Sequence, residues 1–372
     1  MKGKLEDGKI SSYQFKCLVI LFTIGTTILV IPKGLASNAK QDAWIAAIFG
    51  VGIGVFVIWI YNKLSIRFPH MTFVQMNETV FGKWLGKGFS VIFLSMSFTY
   101  TAIVMFYTGN FIRTQLYPET PLEIIHIVLA LILVMGVRHG LETFTRTAEI
   151  FLLFFFFLFV FLVIFISPQI QFENIEPVFD VDAKPLASSM LSLVVTSSIN
   201  SVVLLMIFPA YVNQTKESQK AFLIGNLLGG FVMIMITLLC IFVLGANITA
   251  MQMFPSYALA KKLDVGNFIQ RIEAMLAIMW FISVYFKMVI YFYASCLGMA
   301  QVLNLNDYRP LIFPLGMISV VFSLTAFPNV VYQQEWDTKT SEPFSISVGF
   351  ILPLLLIVVD KIREKKCEKN RR

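Results

Sequence analysis

Residues 22–32 read FTIGTTILVIP. They lie inside the first long apolar run of the chain, yet they hold a glycine, three threonines and a proline. A helix crossing hydrocarbon must satisfy its own backbone, because no water is there to do it. Gly25 removes a side chain near the middle of the run and Pro32 removes an N–H donor. Thr23, Thr26 and Thr27 offer hydroxyls to the carbonyls so freed. Broken backbone at this depth is tolerated only where it is buried in protein or lines a cavity. The competing reading is an unbroken helix packed closely on a neighbour through small residues.

Around this stretch the composition is that of a multi-pass membrane protein. Of 372 residues 57% are hydrophobic and 14% charged, and 37 are phenylalanine; a soluble chain carries about 25% charged residues. Spans of about 20 apolar residues are expected at 13–36, 43–62, 89–112, 121–138, 144–167, 187–209, 220–244, 268–297, 309–327 and 344–361. That makes an all-α integral membrane protein of ten transmembrane helices. Residues 68–88 mix polar and apolar positions and read as an interfacial amphipathic helix. Residues 1–12 are polar, and the run after them is too long for a cleaved leader.

Orientation follows from Lys and Arg. With the N-terminus inside, the inner segments hold twenty and the outer segments seven. Both termini are therefore expected on the cytoplasmic side. The tail at 362–372 reads as a basic strip against the lipid bilayer, and its placement excludes a nucleic-acid site. Cys17, Cys240, Cys296 and Cys367 form no CxxC pair. His70, His126 and His139 show no ligand spacing. No metal and no cofactor is expected, and no paired catalytic groups point to an enzyme.

A second interrupted stretch, TSSINSVVLLMIFP at 196–209, opens the sixth span. Ser197, Ser198, Asn200 and Ser201 cluster there and a proline closes it. Interruptions in spans one and six of ten predict an inverted five-plus-five repeat, with repeat one at about 13–167 and repeat two at about 187–361. They also predict a midplane binding site between the breaks. Free N–H ends would attract a carboxylate and free C=O ends an ammonium, so a small zwitterion fits.

ISSYQFKCLVILFTIGTTILVIP at 10–32 and GVRHGLETFTRTAEIF at 136–151, with ten spans over the whole chain, resemble the B subunits of spore germinant receptors. These are the GerAB-like spore germination permeases of the amino acid–polyamine–organocation superfamily. The resemblance implies a subunit in the spore inner membrane that binds a small germinant, such as an amino acid. It also implies that the subunit triggers germination with receptor A and C subunits. It places ligand-binding residues at Gly25 and Thr26, at Tyr100 and Val104 in span three, at Ser198, Ile199 and Asn200, and around Ser283 in span eight. Gly140, Glu142, Arg146 and Glu149 form the family motif. A proton-coupled amino acid transporter is the alternative.

Lys287 is read on its own account. A lysine far from both ends of a span costs about 2.5–3.5 kcal/mol on insertion scales. It must face protein or water, and three roles compete: a surrogate for a bound cation, a contact to an acidic ligand, or a structural pair with a carboxylate such as Glu142 or Glu149.

Overall fold

A computed structural model describes residue 6 and residues 8–262, 272–327 and 329–371. Readings made for Lys2, Lys4, Arg271 and Arg372, for 263–266 and 268–271, and for the Cys367 side chain fall outside the described residues.

The first span is two rods. Ser11 and Gln14 cap each other to start α1 (Ser12–Ile24), and Gly25, at φ 25°, ends it. After Thr26, α2 (Thr27–Ala39) continues in the same general direction. The freed carbonyls are answered by hydroxyls. Thr27 Oγ1 donates to Thr23 O at 3.0 Å, and Ser283 Oγ donates to Gly25 O at 3.2 Å. Pro32 strips Ile28 O of its helical donor, and Ser256 Oγ replaces that donor at 2.5 Å. Each irregularity is thus matched to a hydroxyl brought up from elsewhere.

The chain then turns through Lys40–Asp42 into α3 (Ala43–Arg67). Leu35 on the way out lies beside Ser189, whereas Gly50 and Gly54 on the way back pass Leu193 and Ser198. A short α4 (Phe73–Phe81) precedes α5 (Lys83–Phe111), α6 (Leu122–Arg138) and α7 (Leu141–Ile166). Residues 68–88, expected as one interfacial helix, are thus divided between α4 and the start of α5.

The sixth span begins as α8 (Ala183–Val194), widens to a π-helical turn at Val195–Ile199, and tightens to a 3-10 stretch at Asn200–Met206. Its serines and threonine satisfy carbonyls that this change of winding leaves short of donors. Thr196 Oγ1 donates to Ser192 O (2.5 Å), Ser197 Oγ to Leu193 O (2.7 Å) and Ser201 Oγ to Ser198 O (2.5 Å). The Tyr61 hydroxyl sits between Ile199 O and Gly349 O at 2.8 and 2.6 Å.

Contacts run along the two interrupted spans in opposite order. Phe15 stacks on Phe208 with centroids 5.1 Å apart, Gly25 faces Thr196 across Lys287, and Leu35 O meets Ser189 Oγ. The spans are antiparallel, as an inverted repeat requires. α9 (Thr215–Met251) lies parallel to the first span, and its Gly225 and Gly229 let Val19 and Thr23 approach where any side chain would collide.

α9 kinks at Gly245 and is followed by α10 (Pro255–Lys261), α11 (Ile272–Val302) and α12 (Arg309–Thr325). The last span runs through α13 (Val330–Trp336), α14 (Glu342–Ser345) and α15 (Leu352–Arg371), joined by π-helical turns. It is helical from about Val331, not from 344, and the chain stays helical from the π-helical turn at Asp337–Ser341 through Pro343.

Among the described residues seven helical stretches are long and apolar enough to cross a membrane, and α1 and α12 are shorter apolar helices. This is compatible with ten crossings. The α7 phenylalanines Phe151, Phe154, Phe157 and Phe161 are exposed, as a lipid-facing surface would be. Removing the Ser256 hydroxyl while leaving the helix intact isolates the repair of Pro32. Ser256→Ala is expected to lower stability by about 1–3 kcal/mol, read as thermal unfolding in detergent. Ser37→Ala, on the exposed end of α2, is expected to leave it unchanged.

Candidate ligand-binding site

The two breaks face one another across Lys287. Its Nζ donates to Thr196 O at 3.3 Å and lies 5.2 Å from the centroid of the Phe22 ring. The second contact is a cation–π interaction. The stem of the lysine fills the space that a Cβ on residue 25 would need, so a side chain there would collide with Lys287 Cδ. Lys287 is 2% exposed, and among the described residues it enters no ion pair. Glu142, one candidate partner, instead pairs with Arg146 at 2.6 Å on the surface.

Beside this contact is a cavity of about 340 Å³, within the usual range for small-molecule sites. Its lining joins Thr26 and Thr27 at the start of α2, Tyr100 and Val104 from α5, and Asn200 and Lys287. The N-terminus of α2 has no side-chain cap, which leaves amide donors there. Among the described residues Asn200 Oδ1 and the Tyr291 hydroxyl have no hydrogen-bond partner, and both residues line the cavity. Tyr291 stacks on Tyr100 at 5.5 Å and meets Phe22 edge-on at 5.1 Å.

Of the residues expected at the site, Thr26, Tyr100, Val104, Asn200 and Lys287 share this cavity. Gly25 lies directly behind Lys287, and Ser283 holds the Gly25 carbonyl. Ser198 and Ile199 turn the other way. Ser198 Oγ donates to Asn226 Oδ1 at 3.1 Å, and Ile199 packs on Gly349. Gly140 (φ 86°) precedes α7; Glu142 and Arg146 form an exposed pair along it, with Glu149 half-buried on the same helix.

Sequence reasoning missed the fourth wall. Gln333, Asp337 and Ser341 of the last span line the cavity, and so do Met253 and Phe254 between α9 and α10. The signal is present as polar residues at 333, 337, 341 and 345, four apart, but they lie ahead of the apolar run that reads as the span.

The cavity reaches the exposed Ser37 and Asn38 at the far end of α2. Its other end is sealed by Phe15, Phe208 and Phe222, and beyond them by Glu6. The buried Glu6 carboxylate accepts from Tyr308 OH (2.9 Å), Tyr293 OH (3.3 Å), Gly8 N (3.1 Å) and Leu141 N (3.4 Å). Burial and the Glu6 carboxylate push the pKa of the Tyr308 hydroxyl up, which keeps it a donor. Ile10 adds backbone hydrogen bonds of 2.9 Å with Tyr211 and Asn213.

This architecture, two interrupted antiparallel helices around a shared cavity, defines a transporter-type fold. Solved structures agree. The chain superposes with a TM-score of 0.68 on Mhp1, a nucleobase-cation-symport-1 family transporter in a closed conformation, at 11% identity over 96% of this chain and 79% of that one. It superposes with a TM-score of 0.66 on MhsT in complex with L-phenylalanine, at 13% identity over 93% and 97%. Within that fold the chain belongs to the spore germination protein family, whose pattern matches residues 9–331. It is 26% identical to spore germination protein KB of Bacillus subtilis (strain 168), over 99% of this chain and 98% of the relative.

Lys287 has no ion-pair partner among the described residues, so its removal strands no opposite charge and costs only the bond to Thr196 O. Lys287→Met is therefore expected to insert normally and to melt near the wild-type temperature, while losing ligand-induced stabilisation. A fall in membrane level would show a structural pair instead.

Proposed function

We propose that this chain is the B-type subunit of a germinant receptor. It binds a small germinant, an amino acid, in the cavity between the two interrupted helices. Occupancy biases a conformational equilibrium that receptor A and C subunits transmit to germination. On this reading it resides in the spore inner membrane, both termini on the core side, and acts by binding rather than by catalysis.

The observation that carries the reading is the cavity itself. It is walled by both breaks, with Thr26 and Thr27 on one side, Thr196 and Asn200 on the other, and the Lys287 side chain between them. Membership of the spore germination protein family supports the receptor class. The similar MhsT fold, solved with L-phenylalanine, supports a small amino acid as the guest. The Glu142–Arg146 pair and its neighbours, exposed on α7, are the surface proposed to meet a partner subunit.

A proton-coupled amino acid transporter would use the same cavity, and the transporter-type fold favours keeping that reading in the test. Flux separates the two. The reconstituted chain alone is expected to bind germinant without saturable uptake or counterflow; robust counterflow would establish transport. Gly25→Leu, which drives a side chain into Lys287, is expected to abolish the germination response with insertion intact. An unchanged germinant dose dependence in that variant would move the site elsewhere.

A further inference from the structure

The last span presents a polar stripe to the tyrosines of α5. Gln333, Asp337, Ser341 and Ser345 recur every four residues. Asp337 accepts from Tyr107 OH, while Tyr100 OH bonds Ser341 Oγ at 2.7 Å and Ser345 Oγ at 2.5 Å. Gln333 is 1% exposed beside Tyr107, and among the described residues neither end of its amide has a partner within 3.5 Å. It lines the same cavity as Asp337 and Lys287.

Charge gives the stripe its meaning. Lys287 and Asp337 both border this cavity, yet they form no ion pair with each other. Asp337 is joined by a neutral hydroxyl and Lys287 by a neutral carbonyl. Opposite charges set apart across a protein cavity leave each short of a counter-charge. A guest with both signs, spaced to fit between them, completes both at once. The uncapped N-terminus of α2 lies beside Lys287 and adds to the anionic pole.

We propose that Asp337 receives the ammonium group of the ligand and Lys287 its carboxylate, with Gln333 reading a polar or hydrogen-bonding side group. The ligand class is then a small α-amino-acid zwitterion held end to end between the last span and the two breaks. This inference deepens the receptor reading above and rests on it.

The test uses the full chain in lipid nanodiscs. Binding of each of the twenty protein amino acids is measured by calorimetry. The tightest is then compared with its amine-free and carboxylate-free analogues. Asp337→Asn, which preserves the bond to Tyr107, is expected to weaken the zwitterion by about tenfold or more and to leave the amine-free analogue unchanged. Lys287→Met is expected to do the reverse, sparing the carboxylate-free analogue. Glu335→Gln, an exposed acid on the same span paired with Lys339, is expected to change neither.

Equal weakening of zwitterion and amine-free analogue by Asp337→Asn would make Asp337 structural and overturn the assignment. So would binding of no zwitterion at millimolar concentration. If Gly25→Leu abolishes binding and Asp337→Asn does nothing, the site stands and this inference falls. If Gly25→Leu leaves binding intact, the site itself is misplaced.

Discussion

The contact of Lys287 with both breaks organises the centre of this protein. One end of the side chain is an ammonium on the carbonyl of Thr196, within the π-helical turn of the sixth span. The other is an aliphatic stem lying where Gly25 has no Cβ. The general constraint behind it is that backbone polar groups in hydrocarbon must be satisfied from within the protein. Ser283, Ser256, Thr27 and Tyr61 meet that demand around the breaks with neutral hydroxyls. The lysine meets it with a charge, and so leaves an electrostatic feature in the cavity where the hydroxyls leave none.

Closure of the cavity is unequal at its two ends. Toward the N-terminus the seal is layered: a phenylalanine cluster, then backbone hydrogen bonds at Ile10, then Glu6 held by two tyrosines and the first amide of α7. Toward the end of α2 the lining runs out to exposed serine and asparagine. A one-sided chamber is the geometry both of a binding-only subunit and of one state of an alternating-access transporter, in which the Glu6 assembly would be the part that opens.

Much of this was legible in the sequence because breakers are costly in an apolar run and seldom stand there without interrupting a helix. Gly25, Pro32 and the serine cluster at 197–201 mark the two interruptions, and their places in the span order imply the antiparallel pairing. The role of each serine was not legible. A hydroxyl near a break reads the same whether it faces a guest or its own backbone. Ser197 and Ser201 turn to backbone carbonyls, and Ser198 to Asn226. The start of the last span was hidden because residues 333–345 are polar on one face and read as a loop; only the tyrosines of α5 show that this face points inward. Glu6 was hidden for a similar reason. Its four donors come from four segments, and no local pattern announces such a meeting.

The fit between residue 25 and residue 287 also bears on how such proteins diverge. The lysine stem lies in volume that only a glycine at 25 leaves open. A descendant that exchanges the lysine for a shorter residue removes one collision, yet residue 25 still stands at φ 25° with the Phe22 carbonyl 3.0 Å from any Cβ. The dependence therefore runs one way: the glycine permits the lysine, and loss of the lysine does not release the glycine.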